Sequence, residues 1–222
     1  MRSFSVKGCY LLIVLCFLQS CKEAQKNTEK TSRVQKLPYY SEASFTPRWV
    51  KSSPDEGFHK IPNFRLINQS GDTISSATFK DKIYVTDFFF TSCPGICPKM
   101  TSNMLVVQEE FKSDDEVLLL SHSVTPENDS VPVLKHYADT KGVIPDKWHL
   151  VTGERKTIYD LGRLSYFVEE DMGVPKGEDD FLHTENFILV DKNRHIRGIY
   201  NGLNKSSVKQ LIADIKTLKK EG

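Results

Sequence analysis

The sequence predicts an α/β sandwich in which a central mixed β-sheet is flanked by helices. Three observations carry this. Short apolar runs alternate with segments of helical spacing. Two runs, Tyr84–Phe90 and Val117–Val124, are too apolar for a strand with one wet face and suit strands covered on both sides. The last two runs, Asn186–Asp191 and Ile196–Tyr200, are joined by a short turn around Lys192–Asn193, so they must pair antiparallel.

The elements follow in order. Phe64–Asn68 and Thr73–Ser75 flank Gln69-Ser-Gly-Asp72, a hairpin signal. Tyr84–Phe90 is the first buried strand, and Met100–Phe111 follows with helical spacing at Met104, Val107 and Phe111. Val117–Val124 is the second buried strand. Val131–Ala138 reads as a helix, Trp148–Val151 as a strand and Ile158–Phe167 as a helix. Val208, Leu211, Ile212, Ile215 and Leu218 share one face of a closing amphipathic helix.

The chain has 222 residues, 39% hydrophobic and 27% charged, which suits one packed domain with an added end and excludes wholesale disorder. The formal net charge of +1 gives no bias toward nucleic acid. The added end is the N-terminus. Arg2 and Lys7 precede the apolar run Tyr10–Leu18, followed by Gln19, Ser20 and Cys21. A basic segment, a short apolar core and a small residue describe a signal peptide over 1–20. The run is about half the ~20 residues that a membrane-spanning helix needs. Leu18-Gln-Ser-Cys21 resembles a bacterial lipobox, so Cys21 is the expected lipidation site, with an ordinary cleavage nearby or an uncleaved anchor as the alternatives. Several acyl chains on Cys21 would hold the chain on a membrane. Residues 21–36 read as a solvated tether and 37–222 as the folded domain.

Of five cysteines, Cys9 and Cys16 leave with the signal peptide and Cys21 carries lipid, so Cys93 and Cys97 remain as one pair in an exported, disulfide-permissive compartment. They lie in Thr91-Ser-Cys-Pro-Gly-Ile-Cys-Pro-Lys-Met100, at the end of the first buried strand and the entrance of a helix. That placement points to a thioredoxin-like fold. Pro98 fits a first helical position, which puts Cys97 near the N-cap, where helix N–H groups stabilise a thiolate. Two thiols four apart can close a disulfide or face one metal ion. Thiolates with an imidazole favour copper(I), and a four-cysteine zinc site is excluded. The C-x-x-x-C spacing departs from the C-x-x-C of thioredoxin oxidoreductases, and a structural disulfide is the plain alternative.

Asp87-Phe-Phe-Phe-Thr-Ser-Cys-Pro-Gly-Ile-Cys-Pro-Lys-Met100 resembles the signature of the Sco/SenC family, D-F-x-F-T-x-C-P-x-x-C-P-x-M. Ser121–Ser130 with Leu134–Ala138, Trp148–Gly153 and His183–Asp191 with Ile196–Gly202 resemble further blocks of that family, in order, over roughly residues 60–222. The resemblance implies a copper site of Cys93, Cys97 and His183, trigonal for copper(I) and joined by an oxygen donor for copper(II). It implies delivery of copper to the dinuclear copper centre of cytochrome c oxidase subunit II, linked to thiol–disulfide chemistry of Cys93 and Cys97. Other copper chaperones or thioredoxin-like reductants are the further partners expected, and a bacterial cell envelope, with the domain in the periplasm, is the expected location. Thr125 stands where many members have Asp, and Leu182 precedes the histidine where some have Asp.

Three other readings of the same pair stay open: a thiol–disulfide oxidoreductase that needs no histidine, a thiol peroxidase, and a copper or redox sensor. Among the other histidines, His122 and His149 sit in apolar runs and are expected to be packed or hydrogen-bonded. Met100 and Met104 are expected in the core. Glu169–Asp180 is acidic and aperiodic and reads as a mobile loop just before His183, a solvated insertion, with ordering when metal binds or a partner docks as the functional alternative.

Overall fold

The computed structural model describes Ser32, residues 34–50, Pro54, residues 57–171, Gly173, Gly177 and residues 180–221. The expected signal peptide, Cys21 and most of the tether lie outside the described residues. Seven strands form one sheet: β1 (Arg65–Asn68), β2 (Thr73–Ser75), β3 (Ile83–Phe89), β4 (Val117–Ser123), β5 (Trp148–Thr152), β6 (Asn186–Val190) and β7 (Ile196–Asn201). The helices are α1 (Cys97–Phe111), α2 (Val131–Lys141), α3 (Arg155–Asp160) and α4 (Lys205–Glu221).

The sheet order is β2-β1-β5-β4-β3-β6-β7. Its centre, β5-β4-β3, is parallel, and the flanking pairs are antiparallel. The mixed sheet matches the expected sandwich. Every residue of β3 and β4 is buried, as two-sided coverage requires. One face of the sheet carries Val85, Phe89, Leu119 and Leu150, covered by Met100, Met104 and Val107 of α1 and by Val208, Leu211 and Ile215 of α4. The other carries Tyr84, Phe88, Leu118 and Leu120, covered by Ile158, Tyr159 and Tyr166. Period-2 alternation along β3 therefore sends Asp87 to the same face as Phe89, toward α1.

The third helix departs from the expected single helix over 158–167. It starts at Arg155, and after Asp160 the chain widens into a π-turn, Leu161–Ser165. Gly162 explains the tight fit there: a Cβ at that position would lie 2.8 Å from a methyl of Leu182 and 3.0 Å from the Phe88 ring. His122 is fully buried, stacked on Phe88 with ring centroids 4.6 Å apart, and its Nδ1 lies 3.1 Å from the Thr86 hydroxyl. Burial pushes its pKa down to about 3, so it stays neutral. His149 is buried 3.5 Å from the Asn68 amide. Met100 and Met104 are core residues. These four follow the sequence reading.

The domain boundary is held by charge. Arg197 is 3% exposed and donates to the carbonyls of Leu37 (2.8 Å) and Pro38 (3.0 Å) and to the carboxylates of Asp191 (3.2 Å) and Glu221 (2.6 Å). Its guanidinium also lies 4.0 Å from the centre of the Tyr39 ring. Glu221 in turn accepts from the Leu37 N–H at 2.7 Å. One network thus ties the entry of the domain to the end of α4. Val34, placed in the tether by the sequence, already packs against the core. Replacing Arg197 by Met removes the cation from a buried carboxylate, so the loss of unfolding free energy in urea is expected to be about 3–5 kcal/mol. A change under about 1 kcal/mol contradicts this account of the boundary.

Candidate copper and thiol site

The site lies at the carboxyl end of the parallel strands, where α/β sheets leave a crevice for chemistry. The chain leaves β3 at Phe89 and enters α1 at Cys97, so residues 90–96 form the cysteine loop. Val124, just after β4, donates its N–H to the Phe89 carbonyl at 2.8 Å and keeps the two strand ends together. The Cys93 N–H bonds the Phe90 carbonyl at 3.3 Å and turns the loop back on itself.

Cys93 and Cys97 are free thiols that hydrogen-bond one another. They differ in environment. Burial pushes the Cys93 thiol up, but hydrogen bonds from the Cys97 side chain and from the backbone of Cys97, Gly95 and Ile96 outweigh it, and the net direction is down. Cys97 is deeper, at 4% exposed against 9%, and burial with the neighbouring Cys93 pushes it up to about 12. This corrects one expectation. Cys97 is itself the first residue of α1 and Pro98 the second, with Ile96 at the N-cap and no side chain capping the helix. The backbone N–H groups at the helix entrance, those of Gly95, Ile96 and Cys97, therefore serve the sulfur of Cys93, not that of Cys97.

Sequence reasoning gave no role to the groups beneath the pair. Asp87 is 2% exposed, and burial pushes its pKa up to about 7 despite the Ser121 hydroxyl that donates to it. The Trp148 indole N–H donates to Ser121 at 2.8 Å. Tyr137, hydrogen-bonded to Thr101 at 2.8 Å, is pushed up to about 12 by burial, with Asp87 and both cysteines adding to the shift. A charged residue inside a strand buried on both faces was the available signal for Asp87.

His183 reaches this end of the sheet through pairing. β6 runs antiparallel to β3 with Ile188 opposite Thr86, so the residues before β6 lie beside those after β3. Burial alternates along the approach: Leu182 and Thr184 are buried, while Phe181 and His183 are exposed. Thr184 is fixed by its hydroxyl, which donates to the Val168 carbonyl at 2.6 Å. Phe181 meets Phe90 edge to face with centroids 5.5 Å apart, which docks the histidine loop on the cysteine loop. Arg163, beside Gly162, donates to the carbonyls of Gly177 (3.1 Å) and Asp180 (2.5 Å) and pairs with Glu169 at 3.3 Å, so it holds described points at both ends of the acidic segment. The remaining residues of that segment lie outside the described ones.

Among the described residues, no three His, Cys, Asp or Glu side chains are gathered closely enough to hold a metal ion. The structure thus brings the two thiols together and carries His183 to their end of the sheet, without closing the three into one cluster. Two soft sulfurs fit copper by donor chemistry, and an imidazole carried to the same end of the sheet is a donor of the kind that joins them. A separate groove of about 690 Å³, lined by Asn68, Asp72, Lys82, Asp115, Lys147 and His149, contains none of these residues.

A family model, SCO1/SenC, matches residues 52–220. The chain belongs to the SCO1/SenC family. BsSco, a member of the Sco family of cytochrome c oxidase assembly proteins in which a disulfide switch was identified, is 30% identical. It superposes with a TM-score of 0.61 over 74% of this chain and 96% of its own. A SCO1/SenC family lipoprotein from Bacillus anthracis str. Ames is 29% identical, with a TM-score of 0.60 over 72% of this chain and 95% of its own. Bradyrhizobium japonicum ScoI, solved with copper bound, shares the fold at 23% identity, with a TM-score of 0.55 over 71% of this chain and 98% of its own. The thioredoxin-like sandwich expected from the sequence is the fold of these proteins. No described helix is long and apolar enough to cross a membrane.

The unequal thiols give a pH-dependent outcome. A lowered pKa means that Cys93 keeps its thiolate as pH falls below 9 and loses it only on passing its own, lower value. Cys97 gains its thiolate only near pH 12. In the reduced protein at pH 7.5, iodoacetamide is expected to label Cys93 at least ~10-fold faster than Cys97, read by peptide mass spectrometry. Equal labelling contradicts the asymmetry.

Proposed function

We propose that this chain binds one copper ion through the thiolates of Cys93 and Cys97 and the imidazole of His183, and delivers it to the dinuclear copper centre of cytochrome c oxidase subunit II. The observation that carries the reading is the antiparallel β3–β6 pairing, which supports bringing the histidine loop to the cysteine loop, with Phe181 docked on Phe90. Membership in a family whose BsSco member is an oxidase assembly protein supports the destination. In this reading His183 swings from its exposed position onto the ion as copper enters. Copper(I) takes the two sulfurs and the nitrogen, and copper(II) adds an oxygen donor. Exchange with a partner disulfide, which takes up the two electrons and leaves as a dithiol, would close Cys93 and Cys97 into a disulfide, remove both sulfur ligands and release the ion.

A second reading, thiol–disulfide exchange, is favoured by the unequal thiols and by the disulfide switch of BsSco. The Cys93 thiolate attacks one sulfur of a partner disulfide, and the partner's other sulfur leaves as a thiolate. Cys97, once deprotonated, attacks the Cys93 sulfur of the mixed disulfide. The partner leaves as a dithiol, two electrons richer, and Cys93–Cys97 is left as the disulfide. Acting on the oxidase subunit, this keeps its cysteines reduced. A thioredoxin-like reductant would restore Cys93 and Cys97, and another copper chaperone would reload them. Lipidation of Cys21, with residues 21–36 as the tether, would place the domain in the periplasm of a bacterial cell envelope. The lipoprotein relative from Bacillus anthracis supports the lipid anchor.

Copper titration of the reduced domain tests the first reading. One tight site is expected, with affinity falling by at least ~100-fold in Cys93→Ala and Cys97→Ala and by ~10–100-fold in His183→Ala. Tight binding untouched by His183→Ala removes the third ligand. No specific binding, with a readily cycling disulfide, moves the function to the second reading.

A further inference from the structure

Asp129 is fully buried, yet the sequence reading and the site above give it no task. It lies between β4 and α2, and its carboxylate collects four donors. The Thr91 N–H and hydroxyl reach it at 3.2 and 2.5 Å, the Ser123 hydroxyl at 2.5 Å and the Thr125 hydroxyl at 3.1 Å. All four are neutral groups, so the buried charge is stabilised by hydrogen bonds that are stronger for being charge-assisted.

Two of those bonds fall on Thr91, two residues before Cys93. The peptide between Phe90 and Thr91 is held at both ends. Its N–H donates to Asp129, and its carbonyl accepts the Cys93 N–H at 3.3 Å. An anion on the N–H polarises the peptide and strengthens its carbonyl as an acceptor. The geometry points to Asp129 as the positioning residue of the cysteine loop: acting through the Phe90–Thr91 peptide, it fixes the turn that places the Cys93 sulfur beside the backbone N–H groups of Gly95, Ile96 and Cys97. Thr125 fits this role, because its hydroxyl donates to Asp129, whereas an aspartate at 125 would set a second carboxylate beside the first. The bonds from Ser123 and Thr125 are the opposite legs, which fix the carboxylate to the end of β4 and the loop after it.

This rests on Cys93 and Cys97 being the working pair, and the test is read without copper so that it stands apart from the copper assignment. The rate of Cys93 alkylation by iodoacetamide at pH 7.5 is measured in the reduced full chain, beside the urea unfolding midpoint, for Asp129→Asn, Thr91→Val and Ser123→Ala. Thr91→Val keeps the backbone bond and the fold, so it carries the test if Asp129→Asn does not fold. Asp129→Asn is expected to slow Cys93 by ~10-fold, the equivalent of one charge-assisted hydrogen bond. Thr91→Val is expected to slow it by ~3-fold or more. Ser123→Ala, which removes a donor from the same carboxylate away from the cysteine loop, is expected to leave the rate within about twofold even where it lowers the midpoint. Rates unchanged in Thr91→Val and Asp129→Asn overturn the inference. So do rates that fall in all three variants in step with stability, since that pattern belongs to a general structural role.

Discussion

The pairing of β3 with β4 on one side and β6 on the other is the constraint on which the rest of the site depends. β3 and β4 run parallel, so their carboxyl ends lie together. β6 runs against β3, so its beginning lies at that same end. Three stretches far apart in the chain, the cysteine loop, the turn with Asp129 and the approach to His183, are thereby delivered to one edge of a sheet buried on both faces. A one-residue slip of β6 would invert the alternation that buries Leu182 and Thr184 and exposes His183. The packing of Leu182 and Phe88 against Gly162, too close there to admit a side chain, works against that slip.

Within that frame, chemistry is divided by depth. The N–H groups of Gly95, Ile96 and Cys97 and the Cys97 thiol converge on the sulfur of Cys93, while burial outweighs the one backbone bond that Cys97 receives, from Phe90. One thiol is thus prepared to react or to bind first, and the other is held in reserve. Asp87, Ser121 and Trp148 form a buried polar chain on the face toward α1, and Tyr137 sits near both sulfurs, so polar groups stand among the apolar residues that pack around the pair. Two soft sulfurs in such a setting suit copper(I), while their inequality suits thiol exchange. The two readings are alternative uses of one construction.

Much of the fold was legible because buried parallel strands announce themselves. Tyr84–Phe90 and Val117–Val124 could hardly be anything else, and the closing helix placed Val208, Leu211, Ile212, Ile215 and Leu218 on one buried face as its spacing requires. The π-turn at Leu161–Ser165 was not legible, since it answers to the close approach of Leu182, a contact made across the fold. The cysteine pair could be read from its motif, but which sulfur the helix serves could not. The inequality comes from the deeper burial of Cys97 and from the loop N–H groups that turn onto Cys93, neither of which periodicity shows. Asp129 and Arg163 look like ordinary surface charges in the sequence. Their partners are hydroxyls and carbonyls brought in by loops, which leave no pattern in the order of residues.

The central claim is that the histidine loop and the cysteine loop, docked through Phe181 and Phe90, make one copper site. X-ray absorption of the copper(I)-loaded domain tests it most directly, because it counts sulfur and imidazole neighbours at the ion itself. The account predicts two sulfur ligands and one imidazole nitrogen in the native chain, with the imidazole scattering lost in His183→Ala. Two sulfurs with no imidazole, or an imidazole signal that survives His183→Ala, would contradict it.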